Sequence, residues 1–442
     1  MCGIAGIFAP EAENPDLLTD DTLRSMASTL AHRGPDADGV WLDCAAGLGL
    51  AHRRLSILDL SPAGAQPMLS RNETLVLVFN GEIYNHGLLR EELGPRDWRG
   101  ESDTETLLEA IAAWGLEQTL QRAYGMFALA LWDRSREVLF LARDRMGEKP
   151  LYLADLVSGW AFASELHALR AVPGYSARLS SSGVESYLSR SVVADDACIL
   201  KNVRKIPPGH ILRIEGQAQK LQLIPFDTVS TMIERGRAAK SRHPSPESAV
   251  DHVECVLREV VASQMISDVP VGSFLSGGID SSLITALMQE VSDRPVKTFS
   301  IGFDESGYDE STHAEQVAAH LGTDHRTFRV REQDALEFVP KLPKIYSEVF
   351  SDSSQIPTAL LCQLARQEVT VALTGDGGDE VFGGYTRHFM APRLWTRLNR
   401  IPIVFRRHGK AVGQAVQWFG GGQSPLLRDL FRRVGLPASA LD

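Results

Sequence analysis

Val269-Pro270-Val271-Gly272-Ser273-Phe274-Leu275 runs straight into Ser276-Gly277-Gly278-Ile279-Asp280-Ser281-Ser282, and this join decides the fold of the second half of the chain. An apolar strand ends in a Gly/Ser turn, and a helix follows from about Ser281 to Val291. The glycines let backbone N–H groups converge, and the helix start adds positive potential, so the turn is an anion cradle. No Gly-Lys-Ser/Thr follows, so it is not a Walker A loop. Asp280 inside a phosphate cradle would repel the phosphates unless a divalent cation bridges them, which implies Mg²⁺. An ordinary glycine turn with Asp280 near a helix cap would account for a tripeptide, but not for seven such residues after such a strand.

Outward from this turn, strands and helices alternate. Val296–Phe303 reads as a strand, Thr312–Leu321 as a helix with Ala314, Val317, Ala318 and Leu321 on one side, and Arg326–Val330 as a strand. Val369–Leu373 is a buried-type strand entering a second glycine turn, Thr374-Gly375-Asp376-Gly377-Gly378-Asp379-Glu380. Such alternation predicts an α/β parallel sheet with its ligands at the carboxyl ends of the strands.

The first half reads differently. Thr19–Ala31 is a helix with Asp20 and Asp21 in its first turn, and Leu107, Leu108, Ile111 and Trp114 mark another helix face. The apolar run Leu75–Phe79 is followed by Asn80-Gly81, a tight-turn signal. Met126–Trp132, Val138–Ala142, Leu151–Leu153 and Trp160–Ala163 crowd together as short strands of an antiparallel sheet. From Ala171 to Ser245 the pattern weakens, and Pro207-Pro208-Gly209 and Glu234–Pro246 read as connecting structure.

Composition sets the outer bounds. The chain has 442 residues, 44% of them hydrophobic and 23% charged, which suits a folded protein of two or three domains. A net charge of −11 argues against a broad nucleic-acid-binding surface. No window approaches the ~20 apolar residues of a membrane span. The 5 cysteines are scattered and form no CxxC pair, so neither a zinc site nor a disulfide framework is expected, and a reducing cytoplasm fits best.

Cys2 follows Met1 directly. With Met1 removed, one residue carries both a thiol and a free α-amine, whose pKa values of about 8.5 and 7.7–8.0 suit proton exchange at neutral pH. A lone Cys would read as a small strand residue, but its sequence context argues otherwise. Met1-Cys2-Gly3-Ile4, His32-Arg33-Gly34-Pro35-Asp36, Arg53-Arg54-Leu55-Ser56-Ile57, Asn80-Gly81-Glu82-Ile83-Tyr84-Asn85 and Ser102-Asp103-Thr104-Glu105 occur in order, in loop or turn contexts. Arg143-Asp144-Arg145-Met146-Gly147, Lys149-Pro150-Leu151-Tyr152 and Ala163-Ser164-Glu165 follow. Together they resemble the glutaminase domain of class II (N-terminal nucleophile) glutamine amidotransferases over roughly residues 1–170.

That resemblance implies a four-layer αββα sandwich and a role for each matched residue. Cys2 attacks the glutamine side-chain amide, and Asn80 and Gly81 form the oxyanion hole. Arg54 grips the glutamine α-carboxylate, for which a planar fork is suited, while Asp103 with Glu82 holds the α-ammonium. Asp103 also reads as a helix N-terminal acid, and the two roles coexist. His32–Asp36 is expected to order the site rather than do chemistry.

The Ser276–Ser282 turn resembles the pyrophosphate-binding loop of ATP pyrophosphatases, an adenine nucleotide α-hydrolase-like fold. Phe299-Ser300-Ile301-Gly302-Phe303 resembles that family's strand end beside the adenine and ribose, and Thr374–Glu380 with Phe382-Gly383-Gly384-Tyr385 its second acidic loop. ATP contacts are thereby implied for Leu275, Ser276, Gly277, Gly278, Asp280, Ser281, Ser282, Ile301, Thr374, Gly375 and Asp376. Asp280 and Asp379 are the candidates for Mg²⁺–pyrophosphate, and Asp376 is placed near the acyl-adenylate and incoming ammonia.

The order of the two halves resembles that of the glutamine-hydrolysing asparagine synthetases. It implies a glutaminase domain with its extension over 1–215, a linker over 216–245, and an ATP-pyrophosphatase domain over 246–442. Glutamine, ATP and aspartate or a related carboxylate are the implied small-molecule substrates. An apolar passage for ammonia and a homodimer are implied as well. A phosphoribosyl or sugar amidotransferase would lack Ser276–Ser282 and Thr374–Glu380, and a β-lactam synthetase would lack the working Cys2. A synthetase amidating another carboxylate, in polysaccharide or natural-product biosynthesis, stays open, as does a chain with glutaminase activity only. The family's catalytic Lys lies well beyond the second acidic loop. Lys410 is the only Lys after Lys344, in unmatched surroundings, so the second domain is expected to be C-terminally incomplete. Leu394, Trp395, Leu398, Ile401, Val404, Phe405, Val412, Val416, Trp418 and Phe419 are then expected to form exposed apolar surface.

Overall fold

The computed structural model describes residues 2–11, 16–215, 220–239, 245–303 and 309–399. The chain divides into two compact units, Met1–Thr374 and Gly375–Asp442, each treated by itself below.

Two antiparallel six-stranded sheets make up the amino-terminal half. The first runs, in spatial order, β10 (Val203–Lys205), β8 (Tyr152–Leu156), β9 (Gly159–Ala163), β1 (Gly3–Phe8), β3 (Leu48–Arg54) and β2 (Ala37–Asp43). The second runs β12 (Lys220–Pro225), β11 (His210–Glu215), β7 (Val138–Arg143), β6 (Gly125–Asp133), β5 (Leu75–Ile83) and β4 (Met68–Leu69). Period-two alternation decides how they stack. Ile4 and Phe8 of β1, Leu48 and Leu50 of β3, Val76 and Val78 of β5 and Ala130 and Trp132 of β6 meet in one buried cluster between the sheets. The opposite faces bury Ala5 and Ile7 under the helix Asp20–Ser28, and Leu77 and Phe79 under the helix Asp103–Trp114. The result is the expected αββα sandwich.

Two local expectations are corrected. Asn80-Gly81 is no turn: both residues lie inside β5, paired with Ala128 and Phe127 of β6. A Cβ on Gly81 would strike Met126 O, so this glycine serves a close strand approach rather than a bend. Residues 220–225, read as the start of the linker, form the outer strand β12 against β11. The weakly patterned stretch before them holds the helix Ser181–Arg190.

Beyond the helix Pro246–Gln264 comes a wholly parallel sheet of order β15 (Asp324–Val330), β14 (Lys297–Phe303), β13 (Val271–Phe274), β16 (Val371–Leu373). The Ser276 cradle leaves the carboxyl end of β13 and enters the helix Ile279–Val291. In the second unit, the helix Gly378–Phe382 starts from Gly377 at φ +89°, and the helix Thr386–Leu398 follows. Leu394 and Trp395 are 40% and 60% exposed; the side chain of Leu398, and Ile401 to Phe419, lie outside the described residues.

Candidate active site

The alternation that fills the space between the two sheets also builds the site. In β1, Cys2 continues the parity of Ile4 and Phe8. In β3, His52 and Arg54 continue that of Leu48 and Leu50, and in β5, Asn80 and Glu82 continue that of Val76 and Val78. At one end of the sandwich the inward positions therefore change from apolar to reactive. Cys2, Arg54, Asn80, Gly81, Glu82 and Asp103 all line one pocket there. Buried His52 crosses between the sheets, donating from Nε2 to Phe79 O at 3.1 Å. Burial pushes its pKa down to about 3, so it stays neutral and structural.

Cys2 is held from both sides. Its Sγ accepts from Leu55 N at 3.4 Å, and its carbonyl accepts from Arg33 Nε at 3.0 Å. Arg33 is fixed in turn by Glu165 at 2.8 Å, which also lies 3.0 Å from His32 Nε2. Ser164 ties the adjoining chain to β1 by accepting from Ile4 N at 3.0 Å. Arg33 of the His32–Asp36 segment thus holds the Cys2 backbone in place. Burial pushes the Cys2 thiol up, so the resting residue is a thiol and needs a base to react.

The Arg54 guanidinium sits in a cage of carbonyls. Nη1 donates to Ser61 O at 3.0 Å, and Nη2 to Leu58 O at 3.4 Å and to Asp59 O. A Cβ on Gly64 would collide with Nη2, so a larger residue there would displace the guanidinium. Asn80 is fully buried, and neither its Nδ2 nor its Oδ1 has a hydrogen-bond partner among the described residues. An amide left unpaired inside a reactive pocket costs stability and fits a donor aimed at charge that develops only during reaction.

Glu82 and Asp103 form a buried acidic pair. Asp103 opens the helix Asp103–Trp114, whose N-cap Ser102 accepts from Glu105 N at 3.2 Å, and Asp103 Oδ2 accepts from Ile83 N at 2.9 Å. Burial raises the Glu82 carboxyl, and the neighbouring Asp103 raises it further; burial raises Asp103 as well. A bound ammonium would reverse both effects. The sign for stability follows from the raised pKa. In the free protein Glu82 keeps a proton that the unfolded chain has lost, so its contribution to stability falls as pH rises above ~4.3 towards the folded value of about 9. Glu82→Gln is therefore expected to melt higher than wild type by about 2–4 °C at pH 7.5 and equally near pH 4. Thermal unfolding at the two pH values checks this; a variant less stable at pH 7.5 contradicts the raised carboxyl.

Sequence reading gave no role to three residues at this site. Gln66 accepts from Phe79 N at 2.7 Å and donates to Thr104 Oγ1 at 3.3 Å, bracing the strand of Asn80 against the helix of Asp103. Lys149 lines the pocket at the end of a loop organised by Asp144, whose carboxylate accepts from the backbone of Phe127, Met146, Glu148 and Lys149 at 3.0–3.1 Å. Asp59 underlies the Arg54 cage. Lys149 lay within a matched motif; Gln66 and Asp59 carry no sequence signal of their own.

The Ser276–Ser282 loop has the features of an anion cradle. Gly277 adopts φ +81°, and a Cβ there would lie 2.8 Å from Ala314 N, against the start of the helix Ser311–Leu321. Gly278 caps the helix Ile279–Val291, so two helix N-termini face this loop. Ser276 Oγ and Ser281 Oγ lie 3.0 Å apart, while the buried Ser282 Oγ and Ser311 Oγ have no hydrogen-bond partner among the described residues. Unpaired hydroxyls beside a glycine cradle fit phosphate oxygens. No cluster of three or more metal-ligating side chains occurs among the described residues. A magnesium ion held through one or two carboxylates and substrate phosphates needs none, and Asp280 lies in the first turn of the helix that leaves the loop. Leu275 precedes the loop and Ile301 lies in β14. Thr374 closes the first unit, whereas Gly375, Asp376 and Asp379 belong to the second. There Gly378 N donates to Gly375 O at 3.2 Å, and Gly384 N to Asp379 O at 3.0 Å.

Comparison with known proteins agrees with this geometry. Residues 1–224 match the glutamine amidotransferase domain family and residues 252–438 the asparagine synthase family. Asparagine synthetase (glutamine-hydrolysing) 1 of Bacillus subtilis is 35% identical over 92% of this chain and 62% of its own length. Putative asparagine synthetase (glutamine-hydrolysing) 2 of Methanocaldococcus jannaschii is 32% identical over 98% of this chain and 84% of its own. A putative asparagine synthetase (glutamine-hydrolysing) of Mycobacterium bovis is 36% identical over 97% and 67%. This chain, which spans a little under two thirds of the Bacillus relative, thus joins an amidotransferase sandwich to a synthetase sheet in a single sequence, and it belongs to the glutamine-hydrolysing asparagine synthetase family.

Proposed function

We propose that the chain is an ATP-dependent, glutamine-hydrolysing asparagine synthetase, a carbon–nitrogen ligase. The observation that carries this reading is the single pocket that gathers Cys2, Asn80-Gly81, Arg54 and the Glu82–Asp103 pair. Each end of glutamine then has a chemical partner: guanidinium for the α-carboxylate, two carboxyls for the α-ammonium, a thiol and an amide at the side-chain carboxamide.

The Cys2 α-amine takes the thiol proton, and sulfur attacks the carboxamide carbon. The carbonyl oxygen becomes an oxyanion facing Asn80 Nδ2 and the Gly81 N–H. Collapse expels the amide nitrogen as ammonia, which takes the proton back, and leaves a thioester on Cys2 that water hydrolyses to glutamate. In the synthetase half, the Ser276–Ser282 cradle would hold the ATP phosphates, and Asp280 within it would be a ligand for their magnesium ion. When bound there, magnesium would neutralise phosphate charge. The acceptor carboxylate of aspartate becomes an acyl-adenylate, and ammonia displaces AMP to give asparagine.

A second cavity, lined by Arg33 and Glu165 with Tyr346, Glu348 and Phe350, lies beside the support of Cys2 and is the candidate start of the ammonia route. It is more polar than the expected passage, but its charges are paired: Lys205 and Glu348 lie 2.7 Å apart and Arg33 and Glu165 2.8 Å. A glutaminase domain that extends through β12, an ATP-pyrophosphatase domain over 246–442, a cytoplasmic location and a homodimer complete the reading.

Incubation with glutamine, magnesium-ATP and a panel of carboxylates tests it, following AMP and the amide product. Asparagine formed with one AMP per amide is the expected result. Amidation of a different carboxylate replaces aspartate as acceptor, and glutamate and ammonia without AMP reduce the activity to the glutaminase half.

A further inference from the structure

We infer that Asp268 is a positioning residue for glutamine, acting from the synthetase half of the chain through Asp59 on Arg54. This rests on the reading of the Cys2 pocket as a glutaminase site. Asp268 and the Ile57–Asp59 backbone clasp each other in both directions. Asp268 Oδ2 accepts from Asp59 N at 2.7 Å, and Asp268 N donates to Ile57 O at 3.0 Å.

Asp59 needs such support. Its φ of +56° lies in the left-handed region, which an aspartate adopts when local hydrogen bonds hold it there. The same residue is a hub. Its carboxylate accepts from Ser61 N at 3.0 Å and from Glu101 N at 2.8 Å. The first bond shapes the Leu58–Ser61 turn whose three carbonyls cage the Arg54 guanidinium. The second anchors the segment that enters the helix of Asp103. Asp59 thus braces the groups for both the carboxylate and the ammonium of glutamine, and Asp268 holds Asp59 from outside the sandwich.

Asp268 stands just before β13, the strand that delivers Ser276–Ser282. The glutamine grip is therefore tied to the strand carrying the nucleotide cradle. Sequence alone hides this link, because the two aspartates are 209 residues apart.

The test is glutaminase kinetics on the full chain. Asp268→Ala is expected to raise the KM for glutamine about five- to tenfold, with kcat within about twofold of wild type. Asp268→Asn keeps an acceptor and is expected to restore KM to within about twofold. Combined with Arg54→Lys, Asp268→Ala is expected to add less than about twofold, because its effect passes through Arg54. Thermal unfolding confirms that each variant is folded; if Asp268→Ala does not fold, Asp268→Ser is read in its place. A purely structural clasp would lower the melting temperature and leave KM unchanged, and that result overturns the proposal. So does a loss confined to kcat, or a full effect on the Arg54→Lys background. An active wild type with an unaffected variant overturns this proposal alone, whereas a wild type that hydrolyses no glutamine overturns the reading of the pocket as well.

Discussion

Cys2→Ala is expected to abolish ammonia release from glutamine, lowering kcat by about 10⁴-fold or more, while leaving glutamine binding nearly intact. The split follows from the geometry. Arg54 and Asp103, assigned to the two ends of the amino acid, keep their own supports when the thiol is removed. Those supports are the carbonyl cage and the bond from Ile83 N. Nothing else among the pocket-lining residues is a thiol, so no other group there can form the thioester. Because burial raises the Cys2 pKa, the residue is not a spontaneous thiolate, and the reaction depends on a base at the same residue. Protein that retains Met1 lacks that α-amine and is expected to be as inactive as Cys2→Ala. Intact-mass measurement beside a glutaminase assay checks this, and calorimetric titration of Cys2→Ala with glutamine checks the binding half. Retained turnover in Cys2→Ala would sink the nucleophile assignment; lost binding would show that the thiol itself shapes the pocket.

What the sequence disclosed of this site was residue types in order; what it hid was contact. The parity of Cys2 with Ile4 and Phe8, and of Arg54 with Leu48 and Leu50, is a period-two pattern readable from the chain, and it places these side chains between the sheets. Asn80-Gly81 shows where a local rule fails. The pair has strong turn chemistry, yet nine residues of β5 run through it, because β6 pairs along its whole length and Gly81 admits the close approach. Tertiary pairing outweighs a dipeptide preference. Asp59 and Gln66 escaped notice for a different reason. Each works through backbone groups far away in sequence, and a bond to a backbone N–H leaves no mark on the identity of its partner. The strand–helix alternation after Val269 was legible because β13 and β16 are short runs entering glycine turns and apolar residues recur along β14, although β15 is mostly polar. The stretch from Ala171 to Ser245 was not: β10 has three residues, and β12 is largely exposed on the edge of its sheet, so neither carries much periodic signal.

The unpaired amide of Asn80 makes the second large prediction, in which activity and stability move apart. Asn80→Ala is expected to lower glutaminase kcat by about 10²–10³-fold, the usual cost of deleting one oxyanion donor, with KM within about threefold. Stability is governed by two opposing effects. Truncation leaves a small cavity between β5 and its neighbours, worth about 1–2 kcal/mol against the fold. It also removes a buried donor and acceptor with no partners, whose desolvation costs the folded state about 1–3 kcal/mol. The two nearly cancel, so the melting temperature of Asn80→Ala is expected to equal or exceed that of wild type. Asn80→Asp keeps the volume but puts a negative charge where the oxyanion forms, and it is expected to be less active than Asn80→Ala. An amide with no partner among the described residues gains little net stability for the fold, which is what a donor reserved for the reaction would show. If Asn80→Ala instead unfolds several degrees early with kcat preserved, Asn80 is a core residue whose partners lie elsewhere, and the oxyanion assignment falls to Gly81 alone.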